Sequence, residues 1–380
     1  MMDKMLGLLH KVLGPTTYAV LKKVVARALG LFFTCARTLW TRVRLLGYPG
    51  KRRLFLLDMA THPNIGDAAI SLAEVYFVRK HYAQYAHIFG PEIALSLAGE
   101  RGVRLWAKLA RPGDVLLLHG GGNLGNRYPH CDRTRRFLIR HFAKCTVISF
   151  PFSVSWLPGD RAAYIAESRG DYELASSLTL FFRDTVSLEA AHRDFPQVRA
   201  EFAPDIALSL VEDYRPNASQ RHGIYFCFRN DAEGFYPRAD IQALQQQFVA
   251  AGHTTAQGDT QYHRKLTFRN RERVVLDTIA KHGCFRVVLT DRLHGMVFSI
   301  IARTPCVVLR NCDHKLAGMY QTVSAWPYVR FAENLQEAYA LVQELAQADT
   351  ATIPAFAPDY ASLLAQVRAS KVFEKGGMPA

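Results

Sequence analysis

Long apolar runs are missing from this 380-residue chain. No uninterrupted stretch of about 18–20 hydrophobic residues occurs, which argues against a membrane-spanning helix. The nearest approach, Tyr18 to Ala36, is broken by Lys22, Lys23 and Arg27. It has no short apolar core followed by a small-residue cleavage site, so a secretory signal fits poorly. Cysteine is scarce: seven residues, none in a Cys-x-x-Cys pair and most in apolar runs. That excludes a disulfide scaffold or a thiolate zinc site and fits a reducing, cytosolic setting. Despite 14 histidines, no His-x-x-x-His or comparable spacing is present, and no metal is expected. The full Gly-x-Gly-x-x-Gly pattern and the phosphate loop ending in Gly-Lys-Ser/Thr are absent too.

Acidic residues are nearly absent from one region. Between Met1 and Arg53 there are 11 Lys and Arg but a single acid, Asp3. This leader holds +10 of the chain's formal net charge of +14. A basic end on a near-neutral body does not read as a nucleic-acid-binding protein. The body, in a chain that is 49% hydrophobic and 21% charged, is that of an ordinary globular enzyme. Within the leader, Lys23, Arg27, Gly30, Thr34, Arg37, Thr41 and Arg44 follow steps of four and three along one helical face. Val20, Val24, Ala28, Leu31, Phe32, Cys35, Leu39 and Val43 fall mainly on the other, with Trp40 near the boundary. Such a helix lies flat on an anionic bilayer, or else packs on the protein's own body with its basic side solvated. Its acid depletion favours the membrane, and its length and low serine content set it apart from a mitochondrial targeting leader.

From Arg53 onward, strand-like apolar runs alternate with helical stretches, the pattern of an α/β layered fold. Strands are expected at Leu54–Asp58, Asp114–His119, Thr146–Phe150 and Leu178–Phe182, with a helix at Ala68–His81 and another from Ser187 to Arg193. Pro204 to Pro216 reads as a passage between halves. A second set follows: strands at Gly223–Phe228, Phe285–Leu289 and Cys306–Leu309, helices at Ile241–Ala251, Glu272–His282 and Met296–Ala302, and a tail helix around Tyr360–Arg368. The expected layout is a leader over 1–50, an acceptor-side α/β domain over 51–210, a donor-side α/β domain over 211–350 and a helical tail over 351–380. The two Rossmann-like domains face each other across a cleft.

Ligands bind parallel α/β sheets at the carboxyl ends of the strands, and the chemically interesting clusters lie there. Asn64-Ile65-Gly66-Asp67 puts an amide and a carboxylate at a helix start, where Asp67 by itself is best read as an N-cap. The run Gly120, Gly121, Gly122 and Asn123 lets backbone approach a ligand, or simply makes a tight turn. In Asp291-Arg292-Leu293-His294-Gly295, Arg292 offers a rigid donor fork for phosphate or carboxylate and His294 a donor or proton shuttle, at a helix start suited to an anion. Arg183 is either a second arm of this clamp or half of a local ion pair with Asp184. Tyr128, Phe152, Trp156 and Tyr236 either stack on a sugar or belong to the core.

In chain order, Asn64-x-Gly66-Asp67, Gly120-Gly121-Gly122-Asn123, Arg183-Asp184-x-x-Ser187, Pro204-Asp205, Asp291-Arg292-Leu293-His294-Gly295 and Asn311-Cys312-Asp313-His314-Lys315 resemble the polysaccharide pyruvyl transferase family. The resemblance runs from about Leu54 to Tyr320. It implies a GT-B-like architecture, phosphoenolpyruvate as donor substrate, a sugar hydroxyl pair as acceptor and no cofactor. It places Arg292, Leu293 and His294 on the donor, with Arg183 as a further donor-binding arginine and Lys315 among the substrate-binding groups. Asp291 departs from the small or hydrophobic residue expected before that arginine, and a carboxylate there weakens anion binding unless it points away to orient Arg292. The implied chemistry has protonated His294 give its proton to the donor's methylene carbon, with Asp67 as acceptor-side base or orienting group. The acceptor would be a unit of a bacterial exopolysaccharide or capsule, carried as a lipid-linked oligosaccharide at the cytoplasmic membrane face, where the leader would hold the enzyme peripherally. The rival readings are a GT-B-type glycosyltransferase using a nucleotide sugar and a membrane-associated binding protein with a degenerate site.

Overall fold

A computed structural model describes residues 50–92, 103–157, 159–216, 221–229, 234–312 and 314–372, together with scattered positions from 16 to 39. Asp313 and the side chains of Asn123 and His314 lie outside the described set. Two parallel sheets form the body. The first has eight strands, β1 (Arg53–Met59), β2 (Ala86–Pro91), β3 (Val115–Leu118), β4 (Gly121–Leu124), β5 (Thr146–Ser149), β6 (Phe152–Val154), β7 (Ser177–Phe182) and β8 (Arg199–Phe202). Their order is β2-β1-β3-β5-β7-β6-β4, with β8 also paired to β7. The second has five, β9 (Ile224–Cys227), β10 (Thr255–Gly258), β11 (Val287–Thr290), β12 (Cys306–Leu309) and β13 (Val329–Ala332), in the order β10-β9-β11-β12-β13.

Unbroken apolar strands such as Val115-Leu116-Leu117-Leu118 follow from helices covering both faces of a parallel sheet. Alternate side chains enter different cores: Leu54 and Leu56 of β1 face one, Phe55 and Leu57 the other. The first of these cores continues into the second sheet through Cys227, Val288 and Val308. The two domains are also joined by main chain. Ile65 N donates to Thr260 O (2.8 Å), Tyr262 N to Pro63 O (2.8 Å) and Leu266 N to Thr61 O (3.1 Å). The helix Ile65–His81 packs against the helix Arg271–Gly283 across this seam. It is buried nearly all round, so its apolar residues make no stripe.

Several elements differ from the sequence expectation. The expected helix at 68–81 begins at Ile65, because Asn64 caps it. The helix expected at 296–302 runs Leu293–Ile301, so His294 lies within its first turn. Unexpected helices occupy Pro129–His141 and Arg161–Tyr172. Their polar faces carry an ion-pair network of Asp132, Arg135, Arg136 and Asp171, which hid the helical period. The 204–216 passage contains a short 3-10 helix, Ile206–Val211, rather than plain linker. The tail helix, Ala361–Val372, returns to the first domain: Tyr360 OH donates to Asp205 O (2.7 Å), and Arg52 Nη1 to Ser370 O (2.7 Å).

Candidate active site

The carboxyl ends of β1, β3, β7 and β11 open on the seam between the domains. On the first-domain side, the Asn64 side chain accepts from Gly66 N (2.9 Å) and Asp67 N (3.4 Å). Asn64, not Asp67, is therefore the N-cap, which corrects the sequence reading. An amide Oδ1 caps as well as a carboxylate does, and this leaves Asp67 for another partner. Its Oδ2 lies 2.9 Å from His62 Nε2, while His62 Nδ1 lies 3.1 Å from Glu92. Burial opposes charge on His62, but the hydrogen bonds of Asp67 and Glu92 outweigh it and push the imidazole up to about 10. Burial likewise opposes ionisation of Asp67, yet the His62 hydrogen bond and charge hold it well below the usual carboxylate range. A carboxylate held that way orients other groups and is a poor proton acceptor.

Gly66 provides the opening through which the second domain reaches this turn. A Cβ there would stand 2.1 Å from His294 Nδ1, so the imidazole fills the space a side chain would take. His294 Nε2 is buried, has no hydrogen-bond partner among the described residues and lies 3.8 Å from Asp205 Oδ2. Burial lowers its basicity more than Asp205 and Asp67 raise it, and Arg183 and Arg292 lower it further. The balance favours the neutral imidazole in the ligand-free site.

Arg183 is nearly fully buried at the end of β7. Its Nη1 donates to Asp205 Oδ2 (2.5 Å), the oxygen that His294 approaches, and its Nε donates to Ser153 Oγ (2.8 Å). Asp184 joins this only through Ser153, whose Oγ donates to its Oδ2 (2.7 Å). It caps the helix Thr185–Asp194, accepting from Ser187 N (2.8 Å), so the local Arg183–Asp184 pair does not form. Arg183 Nη2 and Lys315 Nζ come within 3.1 and 3.5 Å of one point, the place a Cβ on Gly122 would occupy. Lys315 Nζ donates to Gly122 O (3.1 Å) and lies 5.6 Å from the centroid of the Tyr128 ring. Two cations from different domains therefore converge on a glycine.

The glycine run is not a loose loop. Gly121 and Gly122 open strand β4, and Gly120 N donates to Glu74 Oε1 (2.8 Å). Glu74 also binds His119 Nδ1 (2.8 Å) in a buried pair that fixes the end of β3. A Cβ on Gly120 would meet Pro151 O at 2.6 Å, so close packing as well as ligand access requires glycine there. Asn123 contributes its backbone to the same strand.

Arg292 Nε and Nη2 donate to Asp259 Oδ1 (2.8 Å) and Oδ2 (2.9 Å) in a two-pronged pair, a partner the sequence did not indicate. Arg292 is also the N-cap residue of the helix Leu293–Ile301, its backbone N donating to Thr290 Oγ1 (3.0 Å). Half-buried Leu293 packs against the shared core. Asp291 accepts from Arg229 N (2.9 Å), and burial pushes it up to about 6, which leaves it mostly ionised at pH 7. Of the four aromatic side chains, Phe152 is core, Trp156 packs on Tyr164, and Tyr236 donates to Glu333 O. Tyr128 alone of the four sits by Lys315.

Asp205 and Asp259 organise both arginines, and neither stands out as a site residue by composition or spacing. Pro204-Asp205 marked the first only as part of a motif, and nothing near Asp259 gave a signal. His62 was visible as the start of the turn His62-Pro63-Asn64, without a role.

Residues 64–314, more than half of the chain, match the family model described as polysaccharide pyruvyl transferase. General stress protein 30 of Bacillus subtilis is 30% identical, over 79% of this chain and 87% of that protein. Pyruvyl transferase 1 of Schizosaccharomyces pombe is 26% identical, over 70% of this chain and 67% of its own length. Among solved structures, a Listeria monocytogenes protein assigned provisionally as a UDP-N-acetylglucosamine 2-epimerase superposes with a TM-score of 0.54. The superposition covers 87% of this chain and 99% of that one at 12% identity, a likeness of fold: two facing Rossmann-like domains. The family match spans the Asn64 turn, the glycine strand, Arg183 and the Arg292–His294 helix start, and the chain belongs to the polysaccharide pyruvyl transferase family.

Proposed function

We propose that this protein transfers the pyruvyl group of phosphoenolpyruvate to a hydroxyl pair on a sugar, forming a cyclic ketal and releasing phosphate. The observation that carries this reading is the convergence of Arg183, Lys315 and His294 around Gly122 and Asp205. A small ligand bearing both a phosphate and a carboxylate suits two cations set side by side. Arg292, anchored by Asp259, adds positive charge at the helix start next to His294.

Binding supplies the missing proton. A multiply charged anion beside His294 favours imidazolium, so the acid form arises when the donor arrives. His294 then protonates the methylene carbon, C2 gains oxocarbenium character, and one sugar hydroxyl attacks it. The second hydroxyl displaces phosphate and closes the ketal. The acceptor in this reading is a unit of a bacterial exopolysaccharide or capsule, carried as a lipid-linked oligosaccharide at the cytoplasmic face of an anionic membrane. Two observations support that place: the +10 leader and the exposure of Val20, Val24, Phe32 and Leu39 on its helical positions.

Purified protein incubated with phosphoenolpyruvate and 4-nitrophenyl glucoside, galactoside and N-acetylmannosaminide is expected to release phosphate and yield a sugar bearing a pyruvate ketal by mass spectrometry. Transfer from a UDP-sugar, with no phosphate released from phosphoenolpyruvate, would contradict the proposal and favour a glycosyltransferase.

A further inference from the structure

One carboxylate oxygen stands between an arginine of the first domain and a histidine of the second. Asp205 opens the short helix Ile206–Val211 and is wholly buried. Three bonds fix it. Its Oδ1 accepts from Ala207 N (2.9 Å), its Oδ2 from Arg183 Nη1 (2.5 Å), and its main-chain O from Tyr360 OH, just before the tail helix (2.7 Å). A counter-ion for a buried arginine needs no more than this. The same Oδ2, however, lies 3.8 Å from His294 Nε2, a buried atom with no hydrogen-bond partner among the described residues. Arg183 Nε is held by Ser153 Oγ (2.8 Å), which leaves Nη2 turned towards Gly122 and Lys315. One fixed carboxylate thus aims the arginine and faces the histidine.

We propose that Asp205 is a positioning residue that couples the two, holding Arg183 for the donor anion and stabilising the imidazolium of His294 once that anion has arrived, an inference that rests on the pyruvyl-transfer reading above. Asp205 acts through Arg183 and His294 and takes no proton itself. The charged groups facing His294 are Asp205, Asp67 in the first turn of the helix Ile65–His81, Arg183 at the end of β7, and Arg292 at the N-cap of its own helix. In the ligand-free site burial and the two arginines outweigh the two carboxylates. A donor anion on Arg183 and Lys315 offsets the positive charge, and the carboxylates then decide the balance. Of these, Asp67 has its Oδ2 taken by His62 (2.9 Å). Asp205 Oδ2 is about 1 Å short of hydrogen-bond distance from Nε2, close enough to favour the charged imidazole.

The test uses full-length Asp205→Asn, which keeps the shape and an oxygen for Ala207 N but removes the charge. kcat is followed against pH with phosphoenolpyruvate and the three 4-nitrophenyl glycosides. Wild-type kcat falls at high pH as His294 loses its proton, and in Asp205→Asn this fall should begin about one pH unit lower. The variant is therefore expected to be about tenfold slower than wild type at pH 8 and within about threefold of it at pH 5.5. A second readout needs no acceptor. Calorimetry at pH 8 in buffers of different ionisation enthalpy counts the protons taken up on binding phosphoenolpyruvate, with His294→Gln setting the zero. Asp205→Asn should take up fewer than wild type.

An equal loss of kcat at every pH, or proton uptake equal to that of wild type, makes Asp205 a plain counter-ion and overturns the proposal while leaving pyruvyl transfer standing. A wild type that neither binds phosphoenolpyruvate nor releases phosphate from it overturns the underlying reading instead. Removing the partner of a buried arginine endangers folding, so Asp205→Glu is the second variant. It keeps the charge beside Arg183, and its high-pH limb should stay within about half a unit of that of wild type, whatever the loss in kcat. A limb lowered by about a full unit in Asp205→Glu overturns the proposal by itself.

Discussion

A single missing methyl group lets the two domains share a site. His294 occupies the volume beside Gly66, with Nδ1 2.1 Å from where a Cβ would be. Gly66→Ala is therefore expected to displace the imidazole and lower kcat by about 100-fold, the scale of a misplaced catalytic group; steady-state kinetics at saturating donor would show it. Unchanged kcat would mean His294 is not where the chemistry happens. Asp259 makes a second case, acting through Arg292 as a positioning residue. Asp259→Asn keeps the shape but removes the charge, and should raise the donor KM more than it lowers kcat. The His62 imidazole gives a pH signature. Its raised value means that pairing with Asp67 and Glu92 stabilises the fold fully below its ordinary value and loses that effect as pH rises towards about 10. The melting-temperature gap between wild type and His62→Gln should close between pH 6 and pH 10, and a constant gap would show that the pair carries no linked charge.

Elements bring these residues together, and here the sequence was legible to different depths. Continuous apolar runs announced β1, β3, β5, β7, β11 and β12, because strands covered on both faces have no polar side to confuse the reading. Strand β8, Arg-Ala-Glu-Phe, and β10, Thr-Ala-Gln-Gly, are short, partly exposed edges with almost no apolar signal, and they were not foreseen. The glycines of β4 looked like a turn because glycine disfavours strands. Their strand conformation comes from pairing with β6 and from the Glu74 hydrogen bond to Gly120, which are tertiary facts. Removing that support should be costly. Glu74→Ala leaves His119 and Gly120 N unpaired in a buried place, and a loss of about 3–5 kcal/mol is expected in urea unfolding.

At the scale of the molecule, the motifs of the sequence lay along the right edge of the right strands, since β–α loops of parallel sheets gather there. What the chain could not show was which charges face one another. Arg292 is held by Asp259, and Arg183, ambiguous in the sequence, is buried beside Lys315 with Asp205 as its partner. Both outcomes depend on contacts between residues 22 or more positions apart. The leader is a third large-scale feature. Among its described positions Val20, Val24, Phe32 and Leu39 are exposed. Full-length protein should sediment with anionic vesicles, and a form lacking residues 1–44 should not. Equal sedimentation of both would remove the leader from membrane attachment.

The central claim is that the Arg183–Lys315–His294 cleft binds phosphoenolpyruvate. Titration calorimetry of the full chain with phosphoenolpyruvate, beside Arg183→Ala and His294→Gln, tests it most directly. Saturable binding in wild type, lost in Arg183→Ala and retained in His294→Gln with turnover abolished, is the predicted result. Binding of a UDP-sugar with no heat from phosphoenolpyruvate, or donor affinity unaltered in Arg183→Ala, would contradict it.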